Sequence, residues 1–136
     1  MKKVLGVVLA IGALGLAGCS TIEDKLIKSG ATQVDTAGIQ KLIAGQTVYG
    51  TTSTGDTFAI YFFDYGAMRL SAADGRFRDR GTWTVADAVL CYKWMTPEGN
   101  RCKKVFRTKD GKVTYTTTTE KQGFFNKFVK GNAENL

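Results

Sequence analysis

Between Gln46 and Val129 apolar and polar positions come in short runs broken at nearly regular intervals by turn formers. Phe58, Ile60 and Phe62 alternate with Ala59, Tyr61 and Phe63, the period of two expected of a half-buried strand. Ser53-Thr54-Gly55-Asp56 and Asp64-Tyr65-Gly66 bracket that run, and Asp74-Gly75 and Asp110-Gly111 are hairpin signals. Ala86-Asp87-Ala88 supplies a further turn, and Thr96-Pro97-Glu98-Gly99 has proline and glycine where a type I turn favours them. Strands are therefore expected at 47–49, 58–63, 68–70, 81–85, 89–94, 103–108 and 113–119, with a closing eighth around Phe124–Val129. One short helix precedes them. Asp35 or Thr36 can cap it, Ile39, Leu42 and Ile43 share one face, and Gly45 suits its end.

Turns this close together leave no room for crossover connections, so the fold class is all-β, an antiparallel up-and-down arrangement of about eight strands. Closing it into a small barrel removes exposed edges; an open β-sandwich is the alternative. A barrel of such short strands is squat, with an interior filled mostly by side chains.

The first twenty residues follow another pattern. Met1-Lys2-Lys3 is a positive head and Val4 to Leu16 an uncharged apolar run, too short for the roughly 20 residues of a spanning helix. The charged head, short apolar region and small residues match a secretory signal. Its end, Leu16-Ala17-Gly18-Cys19, resembles the lipobox of bacterial lipoprotein precursors. That resemblance implies cleavage before Cys19, acylation of its thiol and new amine, and stable anchoring through several chains. Ser20, where an aspartate would favour the inner membrane, implies an outer-membrane protein facing the periplasm. The expected organisation is a signal peptide over 1–18, a lipid-anchored tether over 19–34 with a helical turn near Glu23–Lys28, and one domain over 35–136.

Without residues 1–18 the chain keeps 118 residues and its formal charge falls from +7 to +5, because Lys2 and Lys3 go. The excess lies in the second half, where ten Lys/Arg face four Asp/Glu from Cys91 onward. A basic half on a membrane-tethered monomer suits an anionic envelope component or protein partner. Nucleic acid does not belong in that compartment. With Cys19 lipidated, Cys91 and Cys102 remain as a pair where disulfides persist. A tight turn centred on Pro97-Glu98 would set Cys91 opposite residue 104 or 105 instead of 102, so bond and register conflict; the bond is the firmer expectation.

There is no histidine, hence no Ser-His-Asp or Cys-His arrangement, and no phosphate-binding glycine loop, metal cluster or dinucleotide fingerprint. No cofactor and no metal is expected. Asp56, Asp64, Asp74, Asp79, Asp87 and Glu98 could supply paired carboxylates for a glycan hydrolase, but most lie in turns that use Asp structurally. A non-enzymatic role is expected. Gly81-Thr82-Trp83 resembles the G-x-W signature of lipocalins and their calycin relatives, in which the tryptophan closes the barrel base near the start of the domain. That likeness implies a small binding barrel, and Trp83, Trp94 and Tyr92 are its candidate ligand or partner contacts. Over residues 38–118 the order of motifs also looks like small secreted bacterial proteins without assigned function. The function expected is binding of an envelope component, a protein or a small apolar ligand. The alternative is inhibition of a periplasmic or host protease through residues 96–101 or 20–34.

Overall fold

The computed structural model describes residues 18–72, 74–96 and 101–136. The expected signal, Gly18 excepted, and the Pro97-Glu98-Gly99 turn lie outside the described residues. In chain order the elements are α1 (Ile22–Lys28), β1 (Thr32–Gln33), α2 (Thr36–Ile43), β2 (Gln46–Thr51), β3 (Thr57–Phe62) and β4 (Ala67–Ala72), then β5 (Phe77–Ala86), β6 (Val89–Trp94), β7 (Arg101–Arg107), β8 (Val113–Thr117) and β9 (Gln122–Lys130).

Strands β2 to β9 each pair antiparallel with their neighbours in sequence, and β9 pairs back onto β2 from Gln46↔Lys130 to Thr51↔Phe124. The sheet is a closed eight-stranded up-and-down barrel, which removes the open sandwich. Closure satisfies the backbone groups that two free edges would have left to water. A bulge between Tyr49 and Gly50 lets β2 bend into the closing pair. Gly50 is required there, because a Cβ on it would stand 2.6 Å from the Phe124 carbonyl and 2.3 Å from the Phe58 ring.

Alternation decides what fills the barrel. Val48, Ile60, Phe62, Met68, Leu90 and Val105 point inward and are at most 3% exposed. Helix α2 closes one end. Its N-cap Asp35 accepts from Gly38 N–H at 2.7 Å, and Ile39 and Ile43 join the interior cluster beside Phe62, Met68 and Trp83. The Asp87-Ala88 turn of β5–β6 has both residues at positive φ, as a type I′ turn demands, and Ala88 N–H donates to Thr36 Oγ1 at 2.8 Å. The opposite end, where β2, β4, β6 and β8 finish and the turns of residues 52–56 and 118–121 lie, carries no covering helix among the described residues.

Residues 20–34 are more ordered than a tether. Thr21 and Asp24 form a reciprocal capping box at the start of α1, and Leu26 and Ala31 pack with Phe106 on the outer face of β7. Phe106 is outward-facing yet fully buried because α1 covers it. Glu23 pairs with Lys104 at 2.8 Å, Ile22 N–H donates to Glu120 in the β8–β9 turn at 3.1 Å, and β1 adds to the end of β7.

Candidate functional site

The expected residues separate into three places. Cys91 and Cys102 are directly opposed on β6 and β7, with Cα atoms 4.0 Å apart, and form a disulfide on the barrel's outer face. The expected bond is present and the expected register is corrected. Cys91 meets residue 102, two positions earlier on β7 than the residue 104 that a turn centred on Pro97-Glu98 would set opposite it.

Trp83 lies in the packed interior towards the α2 end. Its Nε1 donates to the Phe63 carbonyl at 3.0 Å, its backbone N–H to Gly66 at 2.9 Å, and its ring meets Phe62 edge-on at 5.8 Å. It is 7% exposed and holds the β3–β4 turn. Gly81, two residues before it, is fixed by packing. A Cβ there would fall 2.1 Å from the Lys93 carbonyl across β6. Trp94 stacks edge-on against Tyr92 at 5.6 Å, partly buried.

Tyr92 leads to the third place, which the sequence did not reveal. Directly inward of the disulfide strand, Lys103 is 9% exposed and points into the barrel, the face that alternation assigns to apolar residues. Its Nζ lies 4.1 Å from the Tyr115 ring centre, 4.5 Å from Tyr92, 5.8 Å from Phe58 and 6.0 Å from Phe125. These rings come from β8, β6, β3 and β9, so only the closed barrel assembles them. Among the described residues no carboxylate lies within ion-pairing distance of Nζ. Burial, with the Arg101 charge nearby, lowers the amine from 10.5 to about 7. Burial likewise pushes Tyr115 up to about 12 and Tyr92 well above its ordinary value. The Tyr92 hydroxyl is buried without a hydrogen-bond partner among the described residues. Buried lysines are ordinarily paired, and a titratable group perturbed in this way is a functional-site candidate.

Lys103 forms part of the wall of a cavity of about 300 Å³ at the open end. Arg101, Lys121, Tyr115, Ser53, Thr117 and Thr119 also line it, and no described lining residue is acidic. The signal that could have found this site was a lysine in phase with Val105 on the strand 103–108. The candidate carboxylates do not gather here. Asp56 is bonded by Thr54 Oγ1 at 2.8 Å, Asp79 accepts from the backbone of Arg80 and Thr96 at 2.7 and 3.3 Å, and Asp74 and Asp87 hold positive-φ turns. Asp64 sits in the β3–β4 turn, and Glu98 lies outside the described residues. Cys19 is exposed with a free thiol, at the open end: only Ser20 and Thr21 separate it from Ile22, which is bonded to Glu120 of the β8–β9 turn.

The fold defines a small closed barrel consistent with the calycin class, with Arg101, Lys103 and Lys121 lining a cavity at its open end. Compared with protein-family models, curated proteins and solved structures, the chain matches none.

Proposed function

We propose that this protein is an outer-membrane lipoprotein, held by acylated Cys19 and facing the periplasm, that binds an anionic partner at the open end of its barrel without catalysing a reaction. The observation that carries this reading is the cavity lined by Arg101, Lys103 and Lys121 with no described acidic residue. Such a concentration of one sign raises the local concentration of anions and steers their approach. The anchor supports it further. Three residues of extended chain reach only about 10 Å, so Cys19 stays near the rim to which Ile22 is tied. Lipid on Cys19 would turn the open end towards the bilayer, where anionic head groups are concentrated.

Two competing readings find less support. An apolar carrier needs room, and Phe58, Phe62, Tyr92, Trp83 and Phe125 fill the interior. An inhibitor needs a free reactive strand, and of its two candidates residues 20–34 are engaged as α1 and β1 against β7, while 97–100 of the other lie outside the described residues.

The test has two parts. Mass spectrometry of envelope-derived protein should find a mature N-terminus at acylated Cys19; an unmodified chain starting elsewhere refutes the anchor. The chain from residue 19 to 136 with Cys19 left unacylated, so that no acyl chain adds binding of its own, should bind phosphatidylcholine vesicles containing phosphatidic acid better than phosphatidylcholine alone, with affinity falling steeply with salt. Equal or salt-insensitive binding refutes the anionic partner.

A further inference from the structure

We propose that the open-end cavity is a site for a single phosphate group, with the Lys103 ammonium as its floor. This rests on the anionic-partner reading above and names the chemistry of that partner.

The geometry is that of a cation prepared for a counter-ion arriving from outside. Four ring faces surround Nζ at 4.1–6.0 Å. They attract its charge but offer no oxygen to its three N–H donors. The wall it shares with the cavity is the direction from which an acceptor can reach it. Above it Arg101 and Lys121 add two cations, and Ser53, Thr117 and Thr119 add hydroxyls. A phosphate group presents several oxygens and close to two charges, which suits donors converging from β7, the β2–β3 turn and the β8–β9 turn. A fatty carboxylate fits poorly. It needs an apolar channel for its chain, and Phe58, Tyr92 and Phe125 close the space beneath Lys103. The remainder of the ligand therefore stays outside the rim.

The protonation chemistry agrees. The groups facing Nζ are Tyr92 on β6, Arg101 on β7 and Tyr115 on β8; Phe58 and Phe125 from β3 and β9 do not ionise. Both tyrosines are held neutral well above pH 7, so Lys103 is the group that takes up a proton when an anion binds near neutrality. Affinity should fall as pH rises above about 7.

The experiment uses the chain from residue 19 to 136 with Cys19 unacylated, in detergent-free buffer, labelled with 13C at the lysine side chains. Lys103 is identified as the resonance titrating near pH 7, and inorganic phosphate is added. Its apparent pKa should rise by about one unit, equivalent to tenfold tighter phosphate binding by the charged form. Lys103→Met should weaken binding of phosphate, or of phosphatidic acid vesicles, at least tenfold, Lys103→Arg should retain it, and Lys121→Ala at the rim should weaken it only a few-fold. A response to inorganic phosphate supports a site for the free group; a Lys103-dependent response to phosphatidic acid vesicles alone supports the same chemistry carried by a lipid head group. If vesicles bind but the Lys103 resonance does not move and Lys103→Met binds equally, the phosphate site is refuted while the anionic-partner reading stands. If neither probe binds at low salt, both fail. The wild-type titration needs no variant, so misfolding of Lys103→Met leaves the question answerable.

Discussion

Replacing Lys103 by methionine is expected to make the barrel more stable, by an amount that depends on pH. Burial lowers the amine from 10.5 to about 7. At about 1.4 kcal/mol per unit, holding the charged form inside the folded barrel at pH 7 costs on the order of 4 kcal/mol relative to the unfolded chain. The best-placed of the four ring faces return about 1–2 kcal/mol of that, which leaves roughly 2–3 kcal/mol to be gained. Methionine keeps the reach of the side chain and makes favourable sulfur–aromatic contacts. The sign with pH follows from linkage. The unfolded chain binds more protons than the folded one between about 7 and 10.5, so wild-type stability rises with pH across that window and is lost as pH falls towards 7. The variant lacks that slope. Its advantage should be greatest at and below about pH 7 and shrink towards pH 10, with a melting temperature higher by on the order of 10 °C at neutrality. Above pH 10 the raised tyrosines act oppositely and do so in both proteins. Urea unfolding at several pH values, read by tryptophan fluorescence, measures the difference. A variant less stable than wild type at neutral pH, or a gap independent of pH, would show that Nζ keeps its water and would overturn the reasoning.

The remaining predictions concern the frame around that site. Cys91→Ser or Cys102→Ser should lower stability by about 2–3 kcal/mol, since the bridge restricts a short loop of the unfolded chain; unchanged denaturant midpoints under oxidising conditions would contradict this. Gly81→Ala should cost roughly 2–4 kcal/mol, because the new Cβ would meet the Lys93 carbonyl at 2.1 Å and force β5 and β6 apart. A loss below about 1 kcal/mol would mean that the strands part freely.

The local grammar of the chain was enough for most of the fold. Alternation at Phe58, Ile60 and Phe62, the Asp-Gly turns and the spacing between them are properties of neighbouring residues, and the strands and meander follow from them. The capped helix before β2 and the Cys91–Cys102 bond were legible in the same way. The sequence did less well at the β6–β7 register, where a turn residue preference proposed one centre and cross-strand pairing chose another. It also undersold residues 20–34. Helix α1 is too short to stand alone, and only the apolar face of Phe106, some 80 residues away in sequence, gives it somewhere to pack.

The functional candidates divide along the same line. Cys19 and its motif are contiguous, so the chain announces them without a fold. Trp83, Trp94 and Tyr92 were distinctive as residue types, but the structure uses Trp83 to hold the β3–β4 turn and makes Tyr92 a wall beside Lys103. Lys103 itself is one lysine among many in a basic half. Its burial depends on which face of β7 it occupies, and its surroundings on rings contributed by β3, β6, β8 and β9 after closure. The sequence by itself determined the period and the turns, because each is a short-range property of bonded neighbours. Tertiary structure alone decided that a lysine stands inside the barrel beside a cavity with no acidic residue in its described lining, because burial and electrostatics sum over residues that the chain keeps far apart.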